Sequence, residues 1–142
     1  MRQRALDYLA KREYSYAELG QKLKSFAEEN DDIGALLDDF RARGWLSDAR
    51  FTEQLVHARK AKFGSARVAN ELREKGIADD LIAAAVNQIK VSELDNAREV
   101  WRKKFKDSPV TREEWAKHAR FLQSRGFGFD IIKQVLSQTK GE

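Results

Sequence analysis

The chain has 142 residues, a formal net charge of +4 and a pI of about 9.4; 42% of residues are hydrophobic and 35% charged, with one proline and no cysteine. Without cysteine, disulfides, thiol catalysis and cysteine-ligated metals are excluded. A charge density well above the roughly 25% of an average domain favours helices with one apolar stripe and a charged outer face.

Apolar residues recur at helical spacing almost from end to end, and no stretch alternates as a strand would. Leu6, Tyr8 and Leu9 mark a first helix over about residues 2–12. "SYAELGQKL" opens a second, with Ser15 and Glu18 in capping-box spacing and Leu19, Leu23 and Phe26 on one stripe. Ile33, Leu36, Leu37 and Phe40 define a third, ended by Gly44. Ser47 is the expected cap of a fourth (Phe51, Leu55), which ends before Gly64. Ser65 is the expected cap of a fifth (Val68, Ala69, Leu72), closed by Gly76. Leu81, Ile82, Ala85, Val86 and Ile89 make a sixth, and Ser92 is placed as cap of a seventh bearing Leu94, Ala97, Trp101 and Phe105. Pro109 breaks the chain, and Thr111 with Glu114 forms a second capping box for an eighth helix (Trp115, Ala119, Leu122). Gly126 ends it, and Ile131, Ile132, Val135 and Leu136 form a ninth.

These helices group by threes because the sequence repeats itself. Residues 66–88 laid on 116–138 match at Ala66/Ala116, Ala69/Ala119, Leu72/Leu122, Gly76/Gly126 and Asp80/Asp130. The expected architecture is all-α: three tandem three-helix repeats over 1–47, 48–90 and 91–142, in an elongated, curved array. "LREKGIADDLI" and "LQSRGFGFDII" carry the same joint, and "ARGWLSDARF" a shorter echo of it at Gly44. Glycine after the last helical turn takes the left-handed conformation, and the apolar residue behind it (Ile77, Phe127, Trp45) is expected to pack back on the helix. Asp48, Asp80 and Asp130 then stand in the first turn of the next helix, where negative charge suits the dipole. Gly44, Gly64, Gly76 and Gly126 with those aspartates are read as architecture rather than as a ligand site.

The chemistry of a catalyst is missing from the sequence. No phosphate loop, GxGxxG or HExxH motif occurs, and His57 and His118 stand on different units without a ligand partner at helical spacing. The acidic pairs Glu28-Glu29, Asp31-Asp32 and Asp38-Asp39 read as solvated helix charge. No catalytic residue, metal or cofactor is therefore expected. Net charge runs −1, +2 and +3 over the three repeats, so basic excess lies in the last two-thirds. One cluster holds Arg59, Lys60, Lys62, Arg67, Arg73 and Lys75; a second holds Arg98, Arg102, Lys103, Lys104 and Lys106; a looser set holds Lys117, Arg120, Arg125 and Lys133. Each cluster alone is as compatible with a solvated face as with a binding surface. Three at equivalent places suggest one basic track suited to DNA phosphates or to a polymer wound on DNA. The three-helix units also resemble helix-turn-helix readers, which leaves tandem DNA-binding modules as the alternative. Yet "DDLIAAAVNQI" begins acidic and continues apolar, a poor reader of base edges.

"RALDYLAKREYSYAELGQKL", "RGWLSDARFTEQLVHARKAKFGSARVANELREKGI" and "RFLQSRGFGFDIIKQVL" closely resemble the bacterial regulatory proteins of the RecX family, over essentially the whole chain. The resemblance implies a non-enzymatic modulator of the recombinase RecA that lies in the groove of the RecA–single-stranded DNA filament. There it would bridge protomers and lower ATP hydrolysis, strand exchange and coprotease activity, with at most weak direct DNA binding. Arg50, Arg59 and Arg67 fall on basic positions of the middle string and are the contacts the resemblance carries over most directly. No 18-residue apolar stretch and no signal-like apolar run at "MRQRALDYLAKREYS" occur, so a soluble, cytoplasmic monomer with no membrane contact is expected.

Overall fold

A computed structural model describes residues 1–140, of which 138–140 are described only as helical backbone; repeat 3, expected to run to 142, ends two residues beyond them. Among the described residues there are nine helices and no strand: α1 (Arg2–Lys11), α2 (Tyr16–Lys24), α3 (Ile33–Ala42), α4 (Asp48–Arg59), α5 (Ser65–Glu74), α6 (Asp79–Lys90), α7 (Glu93–Lys104), α8 (Arg112–Ser124) and α9 (Phe129–Lys140).

Each successive trio closes over its own core. Ala5, Tyr14, Leu19, Leu23, Leu37, Phe40 and Leu46 form the first, and Phe51, Val56, Val68, Ala69, Leu72, Ile77, Ile82, Ala85 and Ile89 the second. Ala97, Trp101, Leu122, Phe127, Ile132, Val135 and Leu136 form the third. These are three small cores in a row rather than one large one. The accessible surface, 9177 Å², exceeds the about 7,500 Å² that a compact monomer of this mass would expose, so the molecule is extended.

Local chemistry explains most helix ends. Ser15, Asp32, Ser47 and Thr111 each accept a backbone N–H three residues on (Glu18, Ala35, Arg50, Glu114). Gly44, Gly76 and Gly126 have φ of 79°, 76° and 92°, and each ends a helix. The next residue's N–H reaches back to the third-last carbonyl of the helix: Trp45 to Phe40, Ile77 to Leu72 and Phe127 to Leu122.

Several expectations need correction. Ser65 is not a cap; Gly64 holds that position, and Ser65 opens α5. Ser92 precedes α7 but makes no side-chain capping bond, and its hydroxyl instead accepts from Asn96 Nδ2 at 3.3 Å. The Ser15 box is half-formed, because the Glu18 carboxylate turns away to Arg12 and Lys75. Phe26 lies beyond the end of α2, 43% exposed beneath the Arg4 guanidinium. Trp45 packs back on Phe40 of α3 at 5.5 Å as expected but stays 43% exposed, and it is Leu46 that enters the core. Gly44 ends the third helix of its trio, whereas Gly76 and Gly126 end the second, so its likeness to their joint is local only.

Candidate partner-binding surface

Placing the basic side chains requires knowing how one trio meets the next, and the two junctions use the same parts. At the first, the Tyr16 N–H, opening α2, donates to Asp48 Oδ1 at 2.8 Å, the first residue of α4. At the second, the Ser65 N–H, opening α5, donates to Glu93 Oε1 at 3.1 Å, the first residue of α7. Ser65 Oγ donates to the same oxygen, and Glu93 is only 3% exposed. An acidic residue of the following repeat thus supplies the anion that the N-terminus of the preceding repeat's middle helix requires.

The glycine joints complete the docking. Ser15 Oγ donates to the Lys75 carbonyl at 2.7 Å, and the Gly64 N–H to the Arg125 carbonyl at 2.8 Å. A Cβ on Gly76 would stand 2.6 Å from Ala17 Cβ, and one on Gly126 would collide with Arg67 Cβ. One heterologous contact applied twice builds a progression that does not close on itself, which is why the molecule is extended.

The candidate cations separate into groups. Around the first junction they are neutralised within the molecule. Arg50 pairs with Glu13 at 2.9 Å and Lys75 with Glu18 at 3.0 Å, while Arg59 holds both oxygens of Glu71 at 3.1 and 3.2 Å. Arg12 also grips Glu18, at 2.9 Å. Burial alone would push the Glu18 carboxyl up, but the hydrogen bonds from Arg12 and Lys75 outweigh it and hold it below the usual range. The groove here, about 310 Å³, is lined by Arg12, Arg59 and Lys75 together with Glu13, Glu18 and Glu71. Arg67 belongs to the second junction, donating to the Ser124 carbonyl at 3.1 Å above the Phe63 ring. Arg98 and Arg102 pair along their own helix with Asp95 and Glu99.

A different environment lies between the α4–α5 turn and the α7–α8 pair. There Lys62, Lys103, Lys104 and Arg125 surround a cleft of about 280 Å³ floored by Ala61, Val100 and Phe121, and its lining contains no carboxylate. Among the described residues none of these four cations has an ion-pair partner. Arg125 and Lys104 stand over the Phe121 ring at 5.1 and 5.7 Å, and Phe105 meets its edge at 5.5 Å. Among the described residues Lys60, Arg73, Lys106 and Arg120 have no ion-pair partner either, and they lie outside this cleft. Val100 and Phe121 were not singled out from the sequence. The legible signal was an apolar residue one step off the core stripe on a helix that also carries cations.

His118 belongs to the core rather than to any metal or catalytic site. Trp101 Nε1–H donates to its Nδ1 at 3.0 Å, and Phe105 stacks on the ring at 3.7 Å. Burial depresses its pKa, which Glu114 partly opposes and Lys117 reinforces. Among the described residues no group of three or more His, Asp or Glu side chains is placed to hold a metal, and no helix is long and apolar enough to cross a membrane.

The fold and its junctions define an all-α array of three-helix repeats, a class built to offer an extended surface to a large partner. Family models described as the second and third three-helix domains of RecX match residues 47–86 and 92–136. The regulatory protein RecX of Leptothrix cholodnii is 47% identical over 94% of this chain and 85% of its own. That of Chromobacterium violaceum is 42% identical over 96% and 89%. The crystal structure of RecX from Lactobacillus salivarius superposes with a TM-score of 0.85 over 99% of this chain and 95% of that one, at 20% identity, which bears on fold alone. This chain belongs to the RecX family of regulatory proteins.

Proposed function

We propose that this protein is a non-enzymatic regulator of the RecA recombinase, acting in the cytoplasm as a monomer and without a cofactor. It lies in the groove of the RecA–single-stranded DNA filament and lowers its ATPase, strand-exchange and coprotease activities, so that it modulates recombination and DNA repair. The repeats act as three units over 1–47, 48–90 and 91–142, each adding a contact to a neighbouring part of the lattice. A ligand spanning several protomers raises the effective concentration at every contact after the first.

The observation that carries this reading is the pairing of family membership with an extended repeat array that holds a basic cleft, free of carboxylates among the described residues, between repeats 2 and 3. The alternative, an autonomous DNA-binding module, gains less support. The helices that would read bases, α6 and α9, open with Asp79-Asp80 and with Asp130, which would face phosphates with the wrong sign. Titrating the protein into a RecA–single-stranded DNA ATPase assay tests the proposal. Falling hydrolysis at stoichiometric protein supports it, and unchanged hydrolysis, strand exchange and repressor cleavage would overturn it.

A further inference from the structure

The cleft at the second junction joins cations unpaired among the described residues to an apolar floor, whereas the cations of the groove at the first are paired with Glu18 and Glu71. Its cations, Lys62, Lys103, Lys104 and Arg125, have no carboxylate among the lining residues, and its floor of Ala61, Val100 and Phe121 is apolar. Unneutralised cations call for an anion, and an apolar floor calls for a group that leaves water. Two classes of anionic partner could satisfy the first demand, and the floor decides between them. Single-stranded nucleic acid uses such clefts by stacking a base on an open aromatic face. The Phe121 ring is already engaged: Arg125 and Lys104 stand over it, and Phe105 lies perpendicular to it at 5.5 Å. An aliphatic or aromatic side chain needs no stacking geometry and can rest on Val100, Ala61 and the rim of Phe121. The volume, about 280 Å³, falls just below that of sites for whole small molecules, a size suited to one inserted side chain with short flanks.

The geometry points to this cleft as the docking site of a short acidic protein segment that inserts one apolar side chain between flanking carboxylates. The carboxylates meet Lys62, Lys103, Lys104 and Arg125, steering the segment and fixing its register, while the inserted side chain supplies the anchor. It deepens the proposed function and rests on it only for the segment's source, the protein component of the filament rather than its DNA. Because the cleft is formed by the α4–α5 turn of one repeat and α7 and α8 of the next, it exists only while the second junction is docked.

Fluorescence anisotropy with the full chain tests this. The probe is a labelled nonapeptide of Asp and Glu with a central Phe, compared with the same peptide carrying central Ala. The Phe peptide is expected to bind at least tenfold more tightly, about 1.4 kcal/mol. The Lys103→Glu/Lys104→Glu variant, altered at two exposed positions of α7, should keep its helical circular dichroism and bind the Phe peptide at least tenfold more weakly. Equal binding of the two peptides would overturn the apolar anchor, and undiminished binding by the folded variant would overturn the site. Displacement of the peptide by an oligothymidylate of equal charge would reassign the cleft to nucleic acid. The two-peptide comparison and the variant titration contain neither recombinase nor DNA. Peptide binding by a chain that leaves the filament ATPase untouched would refute the filament reading alone, and inhibition without peptide binding would refute the cleft alone.

Discussion

Gly76 and Gly126 meet two demands at once, and Gly44 only one. All three have positive φ, where a side chain costs about 1–3 kcal/mol. At Gly44 an added Cβ would meet nothing within 4 Å, whereas at Gly126 it would run into Arg67 of the preceding repeat. Gly126→Ala should therefore lower the melting temperature clearly more than Gly44→Ala; equal losses in thermal unfolding would show that the close approach is inconsequential. His118 makes a second residue-scale prediction. Its folded pKa is depressed below the ordinary 6.5 by burial, so the unfolded chain binds the proton more readily. The stability it contributes is present above that ordinary value and is lost as pH falls below it. Urea unfolding between pH 7 and 5 should show a decline in stability that His118→Phe flattens.

At the scale of the element, α2 and α5 are helices whose first turns are completed by a neighbour. Each begins next to a small residue, Ser15 or Gly64, and donates its first N–H to an acid from the following repeat, Asp48 or Glu93. Glu93→Ala would leave the half-buried Ser65 N–H and hydroxyl without their acceptor, at a cost of about 1 kcal/mol or more. Glu93→Gln keeps an acceptor oxygen in place and should cost less. The distinguishing measurement is amide exchange in α5 and α8, where the alanine variant should lose protection on both sides of the junction. Protection lost only in α7 would mean that the contact does not couple the repeats. By contrast α8 closes its own N-terminus, with Thr111 Oγ1 accepting from the Glu114 N–H and Glu114 in turn accepting from the Val110 N–H. No further repeat is docked on it among the described residues.

For the whole molecule, what matters is which positive charges remain available to a partner. Arg59 neighbours Lys60 and Lys62 in sequence, but its guanidinium is engaged on Glu71. Reversing Lys60 and Lys62 together should weaken filament inhibition several-fold and reduce its dependence on salt. Arg59→Ala should alter inhibition far less, since its charge is already matched by Glu71 within the molecule. Inhibition titrations at two salt concentrations would check both, and equal effects of the two changes would place Arg59 in the contact after all. The extended form also explains why "KSFAEENDD" replaces a glycine joint after α2. That turn meets no preceding repeat among the described residues, so neither the tight approach nor the left-handed glycine is required of it.

Helices, their core stripes and the glycine joints could be read directly from the sequence, because each rests on residues within about one turn of one another. Helical periodicity and cap chemistry are local, and the fifty-residue echo between Gly76 and Gly126 exposed the repeat. Ser65 has the chemistry of a cap, but Gly64 holds that position, and the acid that receives the Ser65 N–H, Glu93, stands 28 positions away. Only the tertiary structure decided which acid closes which helix, which cations are neutralised and which four surround an apolar floor. Lys75 meets Glu18 across 57 positions and Arg67 meets Ser124 across another 57, and no spacing rule connects such pairs. They depend on how one rigid trio docks on the next, and that is set by shape and by backbone groups that carry no residue-specific signature.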